Sequence, residues 1–271
     1  MNLLFDHLVH FVQNPVQAAE EMKYIGVQAF MGGNHEKWGT YNSLAYFGLS
    51  YIEFLGIRER EIAEEAALHH DLTRQAITLL PHYQGFNRIA LRTNNIEKVA
   101  KHAQTLGYII EGPVNGERTR DDGVTIRWKM LFIKDELSKL PFPFIIQWQQ
   151  SDEERFQDLH EKINAHPLGK VEIEDLVIAV DNVENETEKW SKLFGLKRSE
   201  PYLDEELQAE CIQLFLQGGN LTFASLDKSW KFYDDVNEHG EGPFLLRLIG
   251  DRSIPLHKLL GAYFHVKGRG K

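Results

Sequence analysis

Short apolar runs recur along the chain, each followed by a polar-capped helical stretch that ends on glycine. The first run is Phe5-Asp6-His7-Leu8-Val9-His10-Phe11-Val12, the second Phe86-Asn87-Arg88-Ile89-Ala90-Leu91-Arg92-Thr93, the third Ile173-Glu174-Asp175-Leu176-Val177-Ile178-Ala179-Val180. Their length and their β-branched and aromatic content predict strands. Asn14-Pro15 opens the first helix as cap and first helical residue; Asn94 or Asn95 opens the second, Asp181 or Asn182 the third. Gly26, Gly107 and Gly195 close them, where a left-handed backbone is needed. From His7 to Gly26, Arg88 to Gly107 and Asp175 to Gly195 the separations are 19, 19 and 20 residues. Three such agreements point to a repeated unit.

After each helix the period changes to that of strands: 27–31, 41–47 and 50–57 in the first unit, 108–112, 124–133 and 142–149 in the second, 211–217 and 220–226 in the third. The unit is therefore βαβββ. The fold class is α+β, with paired modules forming cupped mixed sheets and helices outside. Modules 1–57 and 84–150, with helical linkers, make one domain over 1–168. Residues 169–271 hold a degenerate third module and a partial fourth, Pro243–Gly250 plus Ala262–Lys267, with a short helix expected between them. Arg58–Leu80 reads as a connecting helix, broken along its length and stopped by Pro81. Ser151–Ala165 reads as a second. His69 and His70 within the first linker point about 100° apart on a helix, which favours a surface helix over a chelating pair.

Composition narrows the function classes. The formal charge is −10 over 271 residues, which disfavours a general nucleic-acid or anionic-membrane surface. No apolar run reaches the roughly 20 residues of a membrane span. The apolar start Met1–Phe5 is broken by Asp6 and His7 and lacks the basic flank of a signal peptide. One cysteine, Cys211, sits in an alternating run and is expected as a buried strand residue; with no second thiol, a cytoplasmic protein is expected.

A repeated βαβββ unit with His on its first strand and Glu on its last resembles the vicinal-oxygen-chelate superfamily, which includes lactoylglutathione lyase, extradiol dioxygenases and bleomycin-resistance proteins. Within it the chain is similar to glyoxalase-like proteins with a glycine-rich segment and two Trp-bearing strands. The matching stretches are Phe5-Asp6-His7-Leu8-Val9, Gly32-Gly33-Asn34-His35 running into Gly39-Thr40-Tyr41-Asn42, and Tyr51-Ile52-Glu53-Phe54-Leu55. They continue with Arg118 to Gly123, Arg127-Trp128, Pro143 to Trp148 and His166-Pro167. The resemblance covers about residues 4–180; the last 90 residues share only the module plan.

The resemblance implies a concave site between modules one and two. Strand alternation puts Phe5, His7, Val9 and Phe11 on one face and His10 on the other, where it reads as a core histidine; Tyr51, Glu53 and Leu55 share a face of their strand. His7 and Glu53 stand where the family places ligands, and with Gln147 from module two they would hold one divalent metal, Zn, Fe, Mn, Ni or Co. The competing reading pairs Glu53 with Arg88 or another cation and leaves His7 in a local hydrogen bond. Arg88 occupies the place of His7 in module two and cannot ligate a metal. It is expected, with Arg127, to grip an anionic small molecule bidentately. Arg118 and Arg120 read equally as part of this cluster or as a solvated loop paired with Asp121 and Asp122. Trp128 and Trp148 are either core or walls for a flat ligand. His35, on a tight glycine turn, and Glu53 are candidate acid–base groups, and Asn42 a substrate contact. Module three offers Asp175 and Phe223 at the two signature places, so that third reads as structural or as a homodimer surface. Two functions follow: a metal-dependent lyase, isomerase or dioxygenase, or a metal-free protein that binds or sequesters a small molecule in the manner of the bleomycin-resistance proteins.

Overall fold

The chain starts with β1 (Leu4–Phe11), α1 (Pro15–Glu21), β2 (Phe30–His35), β3 (Thr40–Phe47) and β4 (Ser50–Ile57). The computed structural model describes all residues except 121–122, 136–137, 228–229, 231, 238 and 271. Helices α2 (Arg60–Ala66) and α3 (Asp71–Leu79) lead to β5 (Gly85–Arg92), α4 (Ile96–Thr105), β6 (Ile109–Thr119), β7 (Thr125–Lys134) and β8 (Phe144–Trp148). Beyond α5 (Asp152–Ile163) come β9 (Glu172–Val180), α6 (Val183–Phe194), β10 (Tyr202–Asp204), β11 (Ala209–Leu214) and β12 (Asn220–Ser225). The chain ends with α7 (Tyr233–Asn237), β13 (Gly242–Gly250), β14 (Ile254–Leu259) and β15 (Ala262–Gly268).

The caps act as their chemistry predicts. Asn14, Asn95 and Asn182 each accept backbone N–H bonds from the first turn they precede. Gly26, Gly107 and Gly195 have φ of 69°, 87° and 68°, the left-handed region that glycine enters without a Cβ penalty.

Modules one and two close into an eight-stranded barrel, in the order β1, β4, β3, β2, β6, β7, β8, β5. Strand β1 runs parallel to β4 and antiparallel to β5; between β2 and β6 the pairing is Asn34 opposite Thr119. Helix α3 packs its apolar face against the inner side of the barrel. Its Leu72 and Ala76, followed by Leu80, join one apolar cluster with Val9, Phe11, Leu55, Trp128, Met130, Phe144 and Ile146. The second sheet is open, ordered β10, β11, β12, β9, β13, β15, β14. It shares a core with the outside of the barrel, since Phe5, Leu8 and Phe86 cluster with Ile173, Leu176, Leu246 and Phe264.

Three expectations are corrected. Between β13 and β15 lies strand β14, not a helix; Leu260 and Gly261, with φ of 52° and 78°, make the turn of a hairpin. Phe5 leaves the face of His7 because the pairing register shifts between them, and it packs in the outer core. Gly32 and Gly33 lie in β2 instead of a turn. His10 is a core residue, ringed by Phe54, Phe86 and Phe264 and donating from Nε2 to the Leu260 carbonyl at 2.8 Å.

Candidate functional site

A cavity opens inside the barrel where β1, β3, β4, β6, β7 and β8 face the N-terminus of α3. Alternation brings His7 and Glu53 to its wall, with His7 Nε2 and Glu53 Oε2 3.6 Å apart. The other edge of His7 is fixed: Nδ1–H donates to Asp6 Oδ1 at 2.6 Å. Asp6 is fully buried, and its second oxygen accepts the Trp148 indole N–H at 2.9 Å. Burial alone would raise the Asp6 carboxyl, but Arg155, the His7 N–H and Arg92 outweigh it and hold it below the usual range.

Glu53 Oε1 accepts from Asn42 Nδ2 at 2.5 Å, and Asn42 Oδ1 accepts from Arg118 Nη1 at 3.2 Å. The amide thus links a carboxylate to a guanidinium. Arg118 is 7% exposed, lines the cavity, and has no carboxylate partner among the described residues; its Nε–H is unbonded. His35 donates or accepts at Thr40 Oγ1, 3.0 Å away. Burial pushes it down to about 4, against the pull of Glu53 and with the help of Arg118, so it is neutral at pH 7. Trp38, Trp128 and Trp148 supply aromatic walls, and Tyr51 stacks on His7 at 4.6 Å. The empty space of the cavity, its open mouth included, is about 500 Å³.

Of the candidate residues, His7, His35, Asn42, Glu53, Trp128 and Trp148 therefore meet at one cavity. Three do not. Gln147 lies on the opposite face of β8 from Ile146 and Trp148, and its Oε1 accepts the Ile96 N–H that opens α4. Register explains the miss: β1 sets Val9 against Glu53, and β5 sets Ala90 against Phe144, so Phe144 holds the Glu53 place in module two. Arg127, out of phase with Trp128 on β7, is exposed and paired with Glu117 at 3.3 Å. Arg88 is only 3% exposed but does not line the cavity; it is bonded to Asp71 Oδ2 at 3.0 Å and the Phe142 carbonyl at 3.2 Å.

Trp38 and Asp6 carry no sequence signal that singles them out, whereas Arg118 was open between the cation cluster and a solvated loop, and His70 was expected on a surface helix. Arg118 belongs to β6, not to a loop, with its backbone opposite Ile126. Arg120 reaches Asp158 at 2.6 Å; the expected partners Asp121 and Asp122 lie outside the described residues. His70, expected on a helix surface, is buried against the cavity. In the second sheet Cys211 is buried in β11, its thiol pushed up to about 12 by burial. Asp175 is bonded by Thr222 and Arg247.

The separation of His7 and Glu53 suits two corners of a metal shell, and the Asp6–His7 bond is of the kind that orients ligating histidines. A catalytic zinc site takes three protein ligands. With Gln147 turned away, no three His, Cys, Asp or Glu converge among the described residues. Among the described residues the donor set falls short of a three-ligand site of the zinc type.

A family model described as a glyoxalase-like domain matches residues 5–194. A hypothetical protein from Staphylococcus aureus has a solved structure similar to this one, with a TM-score of 0.81 and 22% identity, over 98% of this chain and 100% of that one. A mutant 4-hydroxymandelate synthase from Streptomyces coelicolor gives a TM-score of 0.56 at 10% identity, over 93% of this chain and 72% of that one. Both likenesses show a shared fold. No curated protein matches the chain.

Proposed function

The chain belongs to the glyoxalase-like domain family, and from that premise we propose that its barrel cavity binds a small anionic molecule without a metal. One observation carries this reading: the Arg118 guanidinium is buried in an aromatic cavity without a carboxylate partner among the described residues. An unpaired buried cation costs several kcal/mol, and a ligand carboxylate would offset much of that. The ligand body would lie against Trp128, Trp148 and Phe144. These form an apolar lining with few convergent polar groups, as small-molecule sites have.

A second reading adds chemistry to binding. Glu53 Oε2 faces His7 Nε2 inside the cavity, so a bound molecule would meet a carboxylate and an imidazole able to move a proton.

Calorimetry of purified protein with benzoate and pyruvate tests the binding reading. Arg118→Ala should weaken affinity by about 2–5 kcal/mol, with Arg118→Lys intermediate. Titration with Zn, Mn, Ni and Fe(II) should show no stoichiometric uptake that depends on His7. Stoichiometric metal lost in His7→Ala would reverse the metal-free part of the reading.

A further inference from the structure

We propose that His70, from the linker between the two barrel modules, is a ligand-binding residue whose Nε2–H donates to an oxygen of the bound anion. The inference rests on the anion reading above and adds a second donor to Arg118, contributed by an element outside both modules.

The hydrogen bonds fix the ring. His70 is the N-cap of α3, and its Nδ1 accepts the Thr73 backbone N–H at 3.3 Å. A backbone N–H can only donate, so Nδ1 carries no proton there. The Thr73 hydroxyl lies 2.8 Å from the same nitrogen and donates to it as well. The proton of the neutral ring is then on Nε2. Burial, with His35 adding to it and Asp71 and Glu53 opposing, moves this histidine down to about 4, which keeps the ring neutral at pH 7.

Ring contacts add to these bonds: the imidazole stacks on Trp38 with centroids 4.2 Å apart and an 11° interplanar angle, and meets Phe132 at a near-perpendicular angle with centroids 6.0 Å apart. With the Nδ1 edge turned to the helix backbone, the edge left on the cavity side is Nε2. That nitrogen is buried and has no hydrogen-bond partner, in a residue only 7% exposed. A buried N–H left without an acceptor is unfavourable, and an oxygen of a bound anion would remove that cost.

Two residues that line the cavity therefore carry unbonded N–H donors, Arg118 Nε–H from β6 and His70 Nε2–H from the cap of α3. Glu53 supplies an acceptor alongside. The complement is a compact molecule with a carboxylate, or a carboxylate and an adjacent carbonyl, and a flat or apolar body. A cationic or purely hydrocarbon ligand would leave both donors unmet.

The test uses full-length protein labelled with nitrogen-15 at histidine, titrated with benzoate and with pyruvate. In the free protein His70 should show an unprotonated Nδ1 and a protonated Nε2, and adding either anion should shift the Nε2–H resonance. His70→Asn keeps a side-chain oxygen to cap α3 but loses the Nε2 donor. It should melt within a few degrees of wild type and bind at least tenfold more weakly. If that variant does not fold, the Nε2–H shift in the wild type decides. A free His70 protonated on Nδ1 overturns the inference. So does wild-type affinity in His70→Asn while Arg118→Ala loses it, an outcome that leaves the anion reading standing. Failure of both anions to bind the wild type overturns the anion reading and this inference with it.

Discussion

At Gly32 a missing side chain decides the geometry of the site. A Cβ built there would lie 2.1 Å from Asn42 Oδ1 and 2.7 Å from Arg118 Nη1, closer than real atoms approach. Strand β2 therefore needs glycine at this point so that the Asn42 amide can join Arg118 to Glu53. Gly32→Ala is expected to cost about 1–3 kcal/mol of stability by overpacking and to lower anion affinity as well, because Asn42 and Arg118 must move apart. Gly242→Ala, in β13 with open space around it, is the control that should change neither. Calorimetry and urea unfolding on the two variants check both outcomes; an intact anion affinity in Gly32→Ala would show that the bridge is not needed.

At the scale of elements, the linker helix α3 contributes its apolar face to the inner cluster of the barrel as well as joining its halves. Leu72 lines the cavity and packs in the inner cluster. Leu72→Ala should cost about 2–5 kcal/mol, read as a lowered urea midpoint, and should enlarge the cavity so that bulkier anions bind relatively better. A variant that loses stability without any change in size preference would place Leu72 outside the ligand's reach. The sequence showed a broken helix here, since the apolar spacing and Pro81 are local signals. It did not show where the apolar face goes, because a stripe of Leu and Ala does not name its partner. The same divide runs through the strands. His7 and Glu53 were legible as cavity residues because the pleat fixes alternation within a strand. Gln147 was misread because its face depends on the β5–β8 register, which puts Phe144 opposite Ala90. Arg118 stayed open between site and loop because β6 runs on to Thr119, past the polar stretch that looked like a loop. His70 was missed because its neighbour His69 suggested an exposed pair.

Across the whole molecule, the open second sheet covers the outside of the barrel, and the two share one apolar core. The three module starts and their glycine stops were visible as sequence repeats, while the closure of modules one and two into a barrel was not, since it depends on long-range pairing of β2 with β6. Imidazoles are buried both in that shared core, at His10, and inside the barrel, at His35 and His70, and their burial makes the fold sensitive to acid. His10, His35 and His70 are each moved down to about 4 from an ordinary value near 6.5, in every case first by burial. His166 moves the same way; its Nδ1 accepts the Gln28 N–H at 3.0 Å, a bond that protonation would remove. The sign follows from the folded values lying below the unfolded ones. Above pH 6.5 both states are neutral at these rings and their contribution to stability is complete. As pH falls from 6.5 towards 4 the unfolded chain takes up protons that the folded chain refuses, and stability is lost. A depression of this size is worth roughly 3 kcal/mol per ring at the acid end. Near pH 5 unfolding should therefore take up close to three protons from the three rings, with His166 adding to them. Urea midpoints measured from pH 7.5 to 4.5 should fall steeply below pH 6.5. His10→Gln, remote from the cavity and bonded only to the Leu260 carbonyl, should reduce the proton uptake by about one without changing anion binding. A midpoint that stays flat down to pH 5 would mean that these imidazoles are not held neutral by the fold.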